Sequence, residues 1–124
     1  MKTELNPQQV KAVETTEGHV LVLAGAGSGK TRVLTERIAY LVREKSISPD
    51  RILAFTFTNK AAGEMRGRVQ RAVEGRRAPS WIGTFHATGL RILRREAKHI
   101  GFRNNFAIYD EVDASSLIKD IMKK

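Results

Sequence analysis

The sequence contains no cysteine, which excludes disulfide bonds and thiolate metal sites. Its three histidines, His19, His86 and His99, stand at no spacing typical of metal ligands, so a metal ion held by the protein alone is not expected. No apolar run approaches the ~18 residues of a membrane span, and no secretory signal is visible at the N-terminus. These absences favour a cytoplasmic protein without a membrane segment.

Acidic residues are also few. The 124 residues include 22 Lys and Arg against 13 Asp and Glu, a net charge of +9. Residues 66–103 carry +8 of this charge, because they hold ten basic side chains and only Glu74 and Glu96. The apolar fraction of 41% is sufficient for a core, so we expect residues 1–124 to form a single small domain. In a folded region, this excess of positive charge favours nucleic acid as a partner over a merely solvated surface.

Helical and strand-like patterns alternate along the chain. Asn6 and Pro7 begin a first helix, with Gln9 at the reciprocal position of a capping box. Further helical spacing covers residues 33–45, 60–72, 85–100 and a last segment that includes residues 117–122. Apolar runs without alternation at residues 20–23 and 52–55 predict strands buried on both faces, and 81–84 and 106–109 predict two shorter strands. The order predicts an α/β fold on a parallel sheet.

The predicted helix that ends near residue 100 is amphipathic. Its apolar side chains fall on one face, and its basic side chains fall on the opposite face. The basic face comprises Arg91, Arg94, Arg95 and Lys98. Two interpretations remain open at this point: an ordinary solvated helix face, or a surface that contacts nucleic-acid phosphates.

Residues 24–31, AGAGSGKT, fit the Walker A pattern G-x-x-x-x-G-K-[ST], except that Ala24 replaces the first glycine. Small residues allow backbone N–H groups to surround phosphate oxygens, and the N-terminus of the next helix adds its dipole. Lys30 would reach the β- and γ-phosphates, and the Thr31 hydroxyl would hold Mg²⁺. The loop lies between a predicted buried strand and an amphipathic helix, which favours nucleotide binding over a plain glycine-rich turn.

Four segments together resemble the superfamily 1A helicases of the UvrD, Rep and PcrA type. They are LNPQQ at 5–9 with Ala12 and Val13, LAGAGSGKTR at 23–32, TFTNKAA at 56–62 and GTFH at 83–86, and their order and spacing also match. These helicases are ATP-driven motors that move 3′ to 5′ along single-stranded DNA. The resemblance implies a P-loop NTPase (RecA-like) parallel sheet flanked by helices, incomplete here, with the remaining helicase domains C-terminal to residue 124.

The resemblance also implies a role for individual residues at the nucleotide. Gln9 matches the glutamine that pairs with the adenine edge, although the capping box alone could explain it. Arg32 matches the arginine that stacks on the adenine face. Lys30 and Thr31 are the implied catalytic pair. The implied ATP-binding residues are Gln9, Ala24, Gly25, Ala26, Gly27, Ser28, Gly29, Lys30, Thr31 and Arg32.

A second set of residues matches the DNA-binding motifs Ia and Ib of the family. Aromatic rings can stack on bases, while hydroxyl groups and helix N-termini bind phosphates. A core position at the end of a strand is the alternative for Phe57 and Phe85. With two arginines of the basic helix face, the predicted DNA-binding residues are Phe57, Thr58, Asn59, Thr84, Phe85, His86, Arg91 and Arg94.

The acidic segment DEVD at 110–113 follows an apolar run and invites comparison with a Walker B box. The run has only four residues, and Asp110 with Asp113 equally forms an N-cap and an N3 acid at a helix start. The helix start is favoured, so an acidic box and an arginine finger are expected outside this chain, which alone should not hydrolyse ATP. Two other functions remain: a stand-alone module that binds nucleotide and nucleic acid without unwinding, and a small P-loop kinase, which the basic tract disfavours.

Overall fold

The computed structural model describes residues 4–124, which separate into two compact units, one ending at Thr88 and one comprising Gly89–Lys124. The single domain expected over residues 1–124 stays a prediction. The helices are α1 (Pro7–Glu14), α2 (Lys30–Arg43), α3 (Asn59–Ala72), α4 (Phe85–Glu96) and α5 (Glu111–Met122), and the strands are β1 (Leu53–Thr56) and β2 (Trp81–Thr84). Short 3₁₀ helices cover Pro49–Arg51 and Ala97–Ile100.

The two strands pair in parallel, and α3 forms the connection between them. The register aligns Leu53 with Trp81 and Thr56 with Thr84. Arg66 on α3 donates a hydrogen bond from Nη1 to the carbonyl oxygen of Ile82 at 2.9 Å, which ties the connecting helix to β2. The mixed helices and parallel strands agree with the predicted α/β class, and the described part of the sheet has two strands.

The core of the first unit lies between the sheet and helices α2 and α3. The buried cluster consists of Ile38, Ala39, Val42, Ile52, Ala54, Met65, Val69, Val73 and Ile82. Burial alternates along β1, so that Ala54 and Thr56 face the helices while Leu53 and Phe55 face the other side and remain partly exposed. The expectation of burial on both faces at 52–55 is therefore wrong, because helices cover only one face of this strand among the described residues.

Two predicted strands are absent from the described structure. Residues 20–23 form no strand, and Leu21 and Leu23 are 83% and 87% exposed. Residues 106–109 are also irregular, and Ile108 and Tyr109 are exposed. Within residues 4–124, neither run has a neighbouring strand that could pair with its backbone groups. An apolar run favours a strand only where such a partner satisfies its N–H and C=O groups.

The predicted helix starts are confirmed in atomic detail. At α1, the Asn6 side chain accepts from the Gln9 backbone and the Gln9 side chain accepts from the Asn6 backbone, both at 2.9 Å. At α5, Asp110 and Asp113 form the equivalent reciprocal pair at 2.8 and 3.2 Å. None of the described helices is both long and apolar enough to span a membrane.

Candidate nucleotide site and nucleic-acid interface

The glycine-rich loop turns sharply before α2. The Ser28 backbone N–H and side-chain hydroxyl both donate to the Gly25 carbonyl oxygen, at 3.3 and 2.5 Å. Gly27 and Gly29 have φ values of +73° and +80°, in the left-handed region where a side chain is unfavourable. Helix α2 starts directly after Gly29, and no side chain caps its N-terminus. Its first N–H groups are therefore available to an anion.

Gln9 links α1 to this loop. Its amide nitrogen donates to the Ser28 carbonyl oxygen at 3.0 Å, while its amide oxygen serves the capping box with Asn6. The capping role of Gln9 therefore coexists with a contact to the phosphate loop. A Cβ atom at Gly29 would lie 3.1 Å from the Gln9 amide nitrogen, so a side chain at this left-handed position would also press on Gln9.

A cavity of about 580 Å³ opens between α1, α2 and the loop, a volume suited to a nucleotide. Five predicted residues line it: Gln9, Ala24, Gly25, Ser28 and Lys30. Among residues 4–124, the Lys30 ammonium forms no hydrogen bond or ion pair, so it is available to a phosphate. Ala26, Gly27, Gly29 and Thr31 belong to the same loop and helix start without lining the cavity.

Arg32 lies elsewhere. It lines a separate groove of about 290 Å³ between α2 and α3, together with Arg68 and Arg71. The structure therefore does not bring Arg32 to the cavity that Gln9 and Lys30 line. Its contact with adenine stays a prediction.

Arg37 is a residue of this site that was not predicted from the sequence. Its guanidinium Nη1 donates to the carbonyl oxygens of Ala12 and Thr15 at 2.5 Å each, which fastens the C-terminal end of α1 to α2. The side chain also lines the cavity, on the same helix face as Lys30 and Val33. A signal was present in the sequence, because Arg37 falls at helical spacing within the otherwise apolar face of α2.

The carboxyl ends of β1 and β2 meet at one edge of the sheet, where α3 and α4 begin. The Thr58 hydroxyl oxygen accepts from the Ala61 backbone N–H at 3.1 Å and caps α3. The Thr84 hydroxyl oxygen accepts from the Ala87 N–H at 3.1 Å and plays the same part at α4. Two positively polarised helix ends thus lie at the same edge.

Three phenylalanine rings gather at this edge. Phe57 is 91% exposed, which excludes the core position considered for it, and Phe85 is 51% exposed. The Phe57 and Phe85 ring centres are 5.6 Å apart at 48°, and the Phe55 ring stacks on Phe85 at 4.4 Å and 5°. Asn59 and His86 are exposed beside them in the chain. Phe55 was missed, although the two-residue period of a strand places it on the same side as Phe57.

Comparison with known proteins now places the chain. A family model described as the UvrD/REP helicase N-terminal domain matches residues 5–124. The chain belongs to this family. Two proteins named ATP-dependent DNA helicase PcrA, from Staphylococcus aureus and Staphylococcus epidermidis, are each 56% identical over 119 residues, or 96% of this chain. The chain spans 16% of the length of these relatives. The resemblance to the N-terminal part of a UvrD/Rep/PcrA-type helicase is confirmed.

In this UvrD/REP domain sequence, some basic side chains of residues 66–103 form hydrogen bonds and ion pairs within the protein. Arg76 donates to the carbonyl oxygens of Val42 and Arg43 at 3.1 and 3.0 Å, at the end of α2. Arg77 forms a two-pronged ion pair with Asp50. Not every positive charge of residues 66–103 is therefore available to nucleic acid.

The second unit of this helicase-family chain contains Arg91 and Arg94, both exposed on α4. The Arg94 guanidinium donates to the Asn104 carbonyl oxygen at 3.5 Å and lies 5.5 Å from the Phe106 ring centre. The acidic segment starts α5 through the capping box of Asp110, as favoured in the sequence analysis. Residues 106–109, directly before it, form no strand, so the strand that a Walker B box follows is absent at this place.

Proposed function

We propose that this chain is the ATP-binding N-terminal portion of the first motor domain of an ATP-dependent DNA helicase. The motor translocates 3′ to 5′ on single-stranded DNA. The observation that carries the proposal is that the N-terminus of α2, which follows Gly29, has no side-chain cap and that Lys30 lines the adjacent cavity. The relatives are named as ATP-dependent DNA helicases, which supports the same activity.

At the nucleotide, the chain's residues bind and orient the phosphates. The N–H groups of the loop and of the first turn of α2 hold phosphate oxygens, and Lys30 stabilises the charge that develops on the transferred phosphoryl group. A Mg²⁺ ion held by the Thr31 hydroxyl would neutralise the phosphates further. Gln9 has a second amide hydrogen beyond its bond to Ser28, which it can offer to adenine. The family resemblance assigns the stacking on the adenine ring to Arg32, whose side chain lines the groove between α2 and α3 and has to turn toward the cavity to make that contact.

Hydrolysis needs groups that these residues do not supply. The remaining helicase domains, C-terminal to residue 124, provide the acidic box, the second RecA-like lobe and its arginine finger. The full P-loop NTPase sheet is completed by strands of the same larger protein. The greater length of the relatives supports this arrangement.

Single-stranded DNA binds at the strand-end edge of the first unit, through Phe57, Thr58, Asn59, Thr84, Phe85 and His86. The exposed rings offer faces to bases, and the two helix N-termini attract phosphates. Arg91 and Arg94 of the second unit add charge-based contacts to phosphates.

The test uses the whole protein with Lys30→Ala, and Lys45→Ala as a control that removes an equal charge just beyond the C-terminal end of α2. Loss of DNA-stimulated ATP hydrolysis in Lys30→Ala alone is expected, because the transition state loses its ammonium. Wild-type protein should also displace streptavidin from the 5′ end of a single strand, and not from the 3′ end. Binding of ATP and DNA without directional displacement would contradict the motor and favour the stand-alone module.

A further inference from the structure

The second unit contains a basic cradle that none of the family motifs includes. Its cavity of about 520 Å³ is lined by four cationic side chains, an aromatic ring and two asparagines. The lining residues include Arg94, Arg95, Lys98, Phe102, Arg103 and Asn104. None of the lining residues in the described chain is acidic. The cradle therefore concentrates positive charge.

The cradle is held in shape by its backbone. After the 3₁₀ helix, Gly101 has a φ of +80°, and the Phe102 N–H donates to the Ala97 carbonyl oxygen at 2.9 Å. Arg94 forms one wall through its contacts with Asn104 and the Phe106 ring. The backbone bond at Phe102 and the contacts of Arg94 thus partly order the cradle before a ligand binds, which lowers the ordering cost of binding.

The groups that face outward are those that recognise nucleic acid. Lys98 and Arg103 are exposed and form no ion pair among residues 4–124. The Phe102 ring is 63% exposed although its backbone is fixed, so its face can receive a planar ligand. Asparagine amides supply both a donor and an acceptor to a base edge. Inorganic phosphate alone would leave the ring unused, and a planar ring beside amide groups favours a base over the side chains of an acidic peptide.

We infer that the basic cradle binds the phosphodiester backbone of single-stranded nucleic acid, with one base stacked on Phe102. The inference rests on the proposed function. It gives the protein a second site that binds the nucleic-acid strand, in addition to the site proposed at the strand-end edge of the first unit. Lys98 and Arg103 neutralise adjacent phosphates, and the aromatic face holds the base between them.

The first experiment measures oligo(dT) binding by the whole protein across a range of salt concentrations. Lys98→Ala and Arg103→Ala should each lower the slope of log affinity against log salt by roughly 0.7. Lys119→Ala on α5 removes an equal charge outside the cradle and should leave the slope unchanged. Phe102→Ala should weaken binding by about fivefold or more at every salt concentration with the slope preserved. Equal slopes in all variants would overturn the inference.

A second measurement detects contact with the nucleic acid directly, so it does not depend on whether the alanine variants fold. The photoreactive residue benzoylphenylalanine is placed at Phe102 and, as a control, at the exposed Tyr109. Crosslinking of oligo(dT) from position 102 in excess over 109 supports the cradle. Crosslinking at neither position, while Phe57→Ala still weakens binding, rejects the cradle and leaves the proposed function standing. Poly-glutamate binding that depends on Arg103 more than oligo(dT) binding does would instead assign the cradle to an acidic protein.

Discussion

The first unit starts its helices in two different ways. Helix α2 begins behind Gly29, in a left-handed conformation and without a side-chain cap. Helices α3 and α4 begin behind Thr58 and Thr84, whose hydroxyl oxygens each accept one backbone N–H. A threonine cap satisfies one of the four free N–H groups of a helix start, whereas glycine leaves all of them for a ligand.

The two kinds of helix start suit two kinds of anionic ligand, a nucleotide triphosphate and a nucleic-acid strand. A nucleotide triphosphate must be surrounded by many donors at once, which requires a loop whose backbone can approach the phosphates closely. A nucleic-acid strand passes along a surface, so a helix end needs only one or two phosphate contacts beside a ring that a base can face. The exposed Phe57 and Phe85 lie at the threonine-capped ends and not at the glycine-capped one.

The largest expected effect comes from adding a side chain at the glycine-capped start. Gly29→Ala forces a left-handed residue with a Cβ 3.1 Å from the Gln9 amide nitrogen. Left-handed strain of about 1–2 kcal/mol, with displacement of Gln9, should weaken binding of a fluorescent ATP analogue by about tenfold. Gly89→Ala, where no atom lies within 4 Å of the added Cβ, is the control. An unchanged affinity in Gly29→Ala would show that the loop does not hold the nucleotide.

The next effect belongs to the threonine-capped edge. Phe57→Ala should weaken oligo(dT) binding by about fivefold, or about 1 kcal/mol, because a base loses one stacking partner while the neighbouring Phe85 ring remains. The melting temperature should stay the same, since the ring is almost fully exposed. Leu53→Ala removes a partly exposed apolar side chain from the same side of β1 and serves as the matched control. If the two variants bind oligo(dT) equally well, motif Ia does not contact DNA.

The features that could be predicted from the sequence are those that depend on residues close together in the chain. The capping boxes at Asn6 and Asp110 need only residues three positions apart, and both are present. The phosphate loop likewise depends on a short spacing of small residues before Lys30. The strands expected at 20–23 and 106–109 depended on partners distant in the chain, which no local pattern reveals. Arg37 and Phe55 are a different case: helical spacing and the strand period place each on the relevant face, but the contacts that give them a role are made with other elements.

A smaller effect is expected from the caps themselves. Thr58→Ala should lower the free energy of unfolding by about 1 kcal/mol, because the Ala61 N–H loses its acceptor. Thr58→Ser keeps the hydroxyl oxygen and should retain most of the stability. Urea denaturation measures both variants. Equal unfolding free energies for the two variants would mean that the Thr58 cap contributes nothing to the start of α3.

The smallest effect lies at the opposite ends of the strands. The Arg77 guanidinium donates to both carboxylate oxygens of Asp50, at 3.0 and 2.5 Å, and holds the pKa of Asp50 below its usual value. Because the pKa is lowered on folding, the pair stabilises the protein above the unfolded pKa of about 3.9, and this contribution disappears as the pH falls through the folded value. The pair is exposed, so Asp50→Asn should lower the melting temperature only slightly at pH 7.

The pH dependence of this small loss in melting temperature shows whether the Asp50–Arg77 ion pair acts on stability alone or also on the two binding sites. The difference in melting temperature between wild type and Asp50→Asn should vanish in acid, because protonation of Asp50 removes its charge in the wild type as well. Asp50 and Arg77 lie in the segments that enter β1 and β2, away from Gly29 and from Thr58. Binding of nucleotide and of oligo(dT) at pH 7 should therefore be unchanged in Asp50→Asn. Suppose instead that Asp50→Asn binds nucleotide normally but binds oligo(dT) more weakly. The threonine-capped edge would then depend on the ion pair at the opposite ends of the strands, and the glycine-capped loop would not.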